Sequence, residues 1–415
     1  MNLIKTSILS FIATAVRLIS GLIINKAIAL YIGPSGLATI GQFQNFLQLT
    51  MVASQGAINA GVTKYTAEYG KESDELPVLF STAFKISVSC SLSVCIVMFL
   101  FSNYLAQLVF KDLQYSYIFV ILGFTIIFYT LNALMLSILN GLKEISLFIR
   151  INISQSVFGL IFTTLLIFFI GLDGALIALA TNQSIIFLLL SWKIRKHAII
   201  KLHNFRLNFN REVAIKLSKY AAMAITSAIS IPLSHIYIRN YIGESIGWVA
   251  AGYWQAVWYI SSMYLMVVTT ALTTYYLPRL SEIKDKIELR SELFNGYKVI
   301  LPIVSALALC IFLLKDIIIT LLFSNDFSPM RELFIWQVIG DVVKLASWLL
   351  GYILIAKAMY KIVIITELFF SVSFCAFTVF FVQVHGLEGV SMAYLANYIL
   401  HLFVMLIIIL KNRLI

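Results

Sequence analysis

The chain has 415 residues, of which 61% are hydrophobic and only 12% charged, well outside the usage of soluble globular domains. Apolar runs of about twenty residues, the length that crosses a bilayer core, recur throughout and leave no long polar segment for an aqueous domain. The fold class is therefore an all-α polytopic membrane protein, and the net charge of +11 reads as membrane topology, with no nucleic-acid partner needed.

Twelve spanning helices are predicted, over residues 7–31, 36–66, 79–101, 116–140, 149–170, 174–192, 215–240, 248–277, 296–315, 331–356, 361–383 and 389–410. The first run is broken by Arg17 and passes into the second without a clear cleavage site, which argues against a removable signal peptide. Cys90, Cys95, Cys310 and Cys375 lie within apolar runs at no metal-ligand spacing and read as small core residues.

Helix one carries two cations, Arg17 and Lys26. Nine residues at about 100° each place them on nearly opposite faces unless the helix bends, for which Gly21 offers a place. Each is a candidate substrate contact, set against structural pairing. After the turn at Tyr31-Ile32-Gly33-Pro34-Ser35-Gly36, helix two carries Asn45, Gln48, Gln55 and Asn59 on one face with Lys64 below them. Such a stripe is either interhelical glue or the wetted wall of a binding cavity.

If the tails and even-numbered loops face the cytoplasm, that side holds 22 of the 30 basic residues, so both termini are expected there. The longest polar connection runs from Trp192 to Lys219. Its mixture of Ile199, Ile200, Leu202 and Phe205 with Lys201, His203 and Arg206 fits either an amphipathic segment on the inner leaflet or a solvated basic linker. The expected organisation is a six-helix lobe over 1–200, a cytoplasmic linker over 201–214 and a second six-helix lobe over 215–415.

Internal repetition supports that division. Tyr31-Ile32-Gly33, Gly36, Gly41 and Gln44 are matched by Tyr241-Ile242-Gly243, Gly247, Gly252 and Gln255, and Gly171-Leu172-Asp173-Gly174 by Gly386-Leu387-Glu388-Gly389. Six helices per repeat is an even number, so the two pseudo-symmetric lobes form a parallel repeat around a central cavity, an arrangement suited to a transporter.

In the second lobe, helix seven places His235 and Arg239 one turn apart beyond Pro232. The histidine is either a packed residue or a proton carrier, and Arg239 is a candidate contact near the external mouth. Tyr253, Trp254, Trp258 and Tyr264 on helix eight either stack on sugar rings or pack the interface. Asp341 and Lys344 on helix ten are three apart and able to pair. Glu367 on helix eleven has no basic residue within a turn, so it takes either a partner from elsewhere or a proton, which makes it and Asp341 candidates for ion coupling. Counting Lys85, intramembrane cations outnumber anions, and a basic cavity suits an anionic substrate. No hydrolase triad, phosphate-binding glycine loop or HExxH helix is present, and the external loops 102–115 and 316–330 are short. No enzyme activity, catalytic residue, cofactor or metal is expected.

The sequence resembles the Wzx-type O-antigen and enterobacterial common antigen flippases of the multidrug/oligosaccharidyl-lipid/polysaccharide exporter superfamily, over essentially its full length. The resemblance is strongest at Gly33-Pro34-Ser35-Gly36, Gly61-Val62-Thr63-Lys64-Tyr65, the stretch 336–344 from Trp336 to Lys344, and the stretch 351–358 from Gly351 to Ala358. It is closest to the common antigen (lipid III) branch, from which it departs by having arginine rather than lysine at Arg17. The resemblance implies alternating-access translocation of an undecaprenyl-pyrophosphate-linked oligosaccharide across the bacterial inner membrane, with the pathway's glycan polymerase and chain-length regulator as further partners. On that reading Arg17, Lys64, Arg239 and Lys344 bind or guide the headgroup, and Asn45, Gln48, Gln55 and Asn59 contact glycan. An inside-negative potential favours outward movement of anionic cargo by about 2.3 kcal/mol per charge per 100 mV, so the potential alone can bias export, with ion exchange through Glu367 or Asp341 as the alternative. An exporter of small amphiphiles and a membrane glycan polymerase are the alternatives.

Overall fold

The computed structural model describes residues 3–195 and 199–412. Two compact units divide the chain, one of Met1–Ile32 with Thr39–Pro232 and the other of Gly33–Ala38 with Leu233–Ile415. Among the described residues the regular structure is helical, with no strand.

The first unit contains α1 (Leu3–Tyr31), most of α2 (Gly33–Ser54), α3 (Asn59–Tyr69), α4 (Glu75–Leu100), α5 (Ser102–Val109), α6 (Ser116–Gly141), α7 (Ile145–Ile194) and the start of α8 (Arg211–Ser245). α1 and α6 pack against α7, and α4 packs against α6. The long α7 is two arms joined at Ile170 and Gly171, where Gly171 takes φ 57° and ψ −130°. These arms are the predicted fifth and sixth spans. The predicted second span is discontinuous: α2 stops at Ser54, and a turn with Gly56 and Ala57 at positive φ precedes α3.

The connection expected to be free or lipid-bound is instead part of the first unit. Phe205 stacks on Phe80 with ring centroids 5.8 Å apart. The Ser81 hydroxyl donates to the carbonyls of Phe205 and Leu207, Lys85 Nζ donates to Leu207 O at 2.8 Å, and the Asn210 N–H donates to Thr82 Oγ1 at 3.2 Å. Ile200 and Phe205 join the buried cluster of Leu79, Phe80, Ile138 and Leu139. Lys85, expected inside a span, thus holds this segment by its backbone. Lys196 lies outside the described residues.

The second unit takes the rest of α8, then α9 (Trp248–Ala271), a π-helical turn at Leu272–Tyr276, α10 (Leu277–Glu282), α11 (Lys286–Leu313), α12 (Lys315–Leu322), α13 (Arg331–Ala356), α14 (Tyr360–His385) and α15 (Glu388–Lys411). α13 packs against α11 and α15, and α14 packs against α15. The opening residues of α2 belong here: a Cβ on Gly252 of α9 would stand 1.9 Å from the Pro34 carbonyl oxygen, so only glycine admits this crossing.

Each unit repeats the other's internal geometry at a spacing of 215 residues. Gly386 takes φ 60° and ψ −135°, as Gly171 does. Ala358 and Lys143 sit in the same left-handed conformation, at φ 54° and φ 57°, at the preceding turn. Duplication is therefore written in the backbone. The Tyr-Ile-Gly match is not: Gly33 makes the first hairpin turn at φ 81°, whereas Tyr241-Ile242-Gly243 lies inside α8 and Gly247, at φ 128°, makes the second.

By length and composition, eight helices among the described residues can cross a membrane, with α7 counted once. The two arms of α7 make nine, and α2, α8 and α9, whose amides, serines and aromatic residues lower their hydropathy, complete the twelve.

Candidate functional site

α1 continues through Gly21 without interruption, so Arg17 and Lys26 stay on nearly opposite faces. Ile12, Ile19, Ile23 and Leu30 form an exposed apolar stripe along this helix. At about 100° per residue, Arg17 stands about 140° from the centre of the stripe and Lys26 about 40°. Arg17 is exposed although it shares its side of α1 with buried Ser20 and Ile28. Arg17 is thus an exposed cation on a different side of α1 from the exposed apolar stripe, and an ion at membrane depth is costly unless water or a partner meets it. Lys26 is half-buried and nearer to the stripe.

On α2, Gln44 and Gln48 are exposed and Asn45 is half-buried. The predicted stripe ends there. Gln55 lies in the turn, and Asn59, the first residue of α3, donates its Nδ2 to Gln55 Oε1 at 2.6 Å, so these two amides serve each other across the break. Lys64 is an exposed residue of α3 whose Nζ lies 3.8 Å from Glu68.

The second unit buries His235, Arg239, Gln337 and Asp341, while Lys344 and Glu367 are half-buried. Arg239 on α8 is 1% exposed; its Nη2 donates to Gln255 Oε1, and its guanidinium lies 5.5 Å from the Trp254 ring centroid. It is not at an open mouth. Trp254 is fully buried and therefore packs rather than presenting a face to sugar. His235 is a packed aromatic, with its ring edge-on to Trp258 at 4.3 Å and to Trp254 at 5.5 Å.

Asp341 and Lys344, which their spacing allows to pair, do not. The Asp341 carboxylate accepts hydrogen bonds from the Ser261 hydroxyl, from Tyr264 OH at 2.6 Å and from Tyr394 OH at 2.8 Å. Gln337 Nε2 donates to Ser261 Oγ at 3.2 Å and extends the network. Lys344 Nζ lies between four rings, 4.8 Å from Trp348, 5.2 Å from Trp258, 5.4 Å from Tyr398 and 5.7 Å from Tyr394. No carboxylate oxygen among the described residues is within 4.0 Å of it. The pair is separated because α9 and α15 supply hydroxyls on one side and aromatic faces on the other. Glu367 is half-buried on α14, and on the facing helices the Ser347 hydroxyl and His401 Nδ1 share a hydrogen bond.

The partners that sequence reasoning missed are Ser261, Trp348, Tyr394, Tyr398 and His401. A signal was present: Trp348 follows Lys344 by four, and Tyr394, Tyr398 and His401 fall on one helical face. Which helices would face one another was not legible. Among the described residues no group of three His, Cys, Asp or Glu side chains could hold a metal ion.

Residues 46–332 match the model of a family described as polysaccharide biosynthesis protein. The chain belongs to that family. The chain is 28% identical over 401 residues to the lipid III flippase of Escherichia coli (strain K12), covering 97% of this chain and 96% of that one; the lipid III flippase of Shigella flexneri gives the same figures. Solved structures of transporters share its fold. An inward-facing multidrug resistance MATE family transporter of the MOP superfamily gives a TM-score of 0.81 at 15% identity, over 96% of this chain and 94% of that one. The lipid II flippase MurJ, in an inward closed conformation, gives 0.74 at 17% identity, over 98% and 87%.

Proposed function

We propose that this protein is a flippase, which moves an undecaprenyl-pyrophosphate-linked oligosaccharide, a lipid III or O-antigen unit, from the cytoplasmic to the periplasmic leaflet of the bacterial inner membrane by alternating access. The observation that carries the reading is the direction of Arg17: exposed, and turned away from the apolar stripe of α1. A guanidinium so placed presents a fork of donors matched to phosphate oxygens. The full-length similarity to proteins named lipid III flippase supports the same substrate class.

Arg17 takes the pyrophosphate, with Lys26 and Lys64 adding positive potential. Asn45 and Gln48 offer amides to the glycan, and the Gln55–Asn59 pair follows them at the break. Arg239, enclosed in the second unit, acts on the substrate only through residues around it, whereas half-buried Lys344 guides the headgroup. The two ion-coupling candidates are Asp341, whose carboxylate oxygens accept from hydroxyls, and half-buried Glu367 on α14. Both termini are cytoplasmic by the basic-residue bias. The polymerase and chain-length regulator of the pathway receive the product.

The test is complementation of a flippase-null strain. Arg17→Lys retains export in part, Arg17→Ala loses most of it and Arg17→Glu loses it entirely. Unimpaired export by Arg17→Glu would sink the assignment.

A further inference from the structure

The surroundings of Lys344 are those of an ammonium receptor. Four aromatic faces, from Trp258, Trp348, Tyr394 and Tyr398, converge on Nζ at 4.8–5.7 Å, all within the range of cation–π attraction. The rings are braced. Trp258 packs edge-on against His235 and against Tyr394, while Tyr394 is fixed by its hydroxyl on Asp341. A lysine needed only as a salt-bridge partner would reach a carboxylate, and Asp341 on its own helix is within range of its flexible stem, yet the ammonium lies among rings and the carboxylate among hydroxyls. Rings can enclose a cation without quenching its charge, and aromatic cages of this kind recognise alkylammonium ligands.

We propose that Trp258, Trp348, Tyr394 and Tyr398 form an alkylammonium-binding cage that Lys344 fills as a tethered cation. The site beside Asp341 then needs no diffusible metal ion, and any ion that couples transport binds elsewhere. Binding of an alkylammonium at the cage is independent of the proposed function; the consequence for transport rests on the flippase reading.

Lys344→Ala removes three methylenes and the ammonium, the outline of a propylammonium ion. In purified protein, the thermal midpoint of Lys344→Ala is expected to rise by several degrees with propylammonium chloride and to stay fixed with sodium chloride at equal ionic strength. Wild type and Lys344→Met, whose cage is filled by a side chain, show no propylammonium response. Absence of a propylammonium shift in folded Lys344→Ala overturns the proposal. Where Lys344→Ala yields no folded protein, extraction in propylammonium either restores it, as the cage requires, or fails to, which counts against the cage. Loss of flipping in any of these proteins leaves the binding result unaffected, so the two claims fail separately.

Discussion

Tyr394 donates its hydroxyl to Asp341 Oδ1 at 2.8 Å and with the same ring closes one side of the space around Lys344. One side chain therefore contacts both an acid and a base that stand three residues apart. Tyr394→Phe retains the ring and removes the donor. It should destabilise the protein by about 1–2 kcal/mol, the effect of leaving a buried acceptor short of a partner. Tyr394→Ala also opens the cage and should cost more. Melting in detergent distinguishes them; equal midpoints for the two variants would contradict the double role.

Gly252 tests the crossing of α2 and α9. A methyl group there meets the Pro34 carbonyl, which belongs to backbone and cannot swing aside, so Gly252→Ala should cost about 1–3 kcal/mol by overpacking and Gly252→Val more. Gly351 on α13 has open space around its ideal Cβ and provides the control: Gly351→Ala should be tolerated. Yields of folded protein and melting midpoints report both.

The segment bound to α4 by Lys85, Ser81 and Thr82 should be released by Lys85→Met combined with Phe205→Ala. Limited trypsin digestion would then cut at Lys201 and Arg206 faster than in wild type. Unchanged cleavage would mean that these contacts do not restrain the segment.

Glu367→Gln separates ion coupling from potential-driven export. If a coupling ion binds at Glu367, the variant loses its response to an imposed ion gradient while retaining movement driven by the membrane potential. A wild-type gradient response in Glu367→Gln would remove Glu367 from that role.

The twelve spans and the duplication were legible because span length and turn glycines are local properties. Gly171 and Gly386 announced themselves as turn residues, and the structure gives them nearly the same φ and ψ. The break after Ser54 was not legible, since the apolar pattern runs through Gln55 to Ile58 and the interruption is made by backbone at Gly56 and Ala57. The fate of Lys344 was hidden for a different reason. Its spacing from Asp341 permits a pair; Trp348 four residues on offered one ring, but the other three come from α9 and α15, distant in sequence. Arg17 lay between these cases: its periodicity fixed the angle to Lys26, but exposure of the apolar stripe was needed to say which cation stands away from it.

The most direct measurement is a leaflet-accessibility assay in proteoliposomes that contain an undecaprenyl-pyrophosphate-linked oligosaccharide. Purified wild-type protein should make the glycan of the inner leaflet accessible to an external glycan-modifying reagent without changing its length, and Arg17→Glu should not. Equal accessibility in empty liposomes and in those with wild-type protein, or equal activity of wild type and Arg17→Glu, would contradict the account.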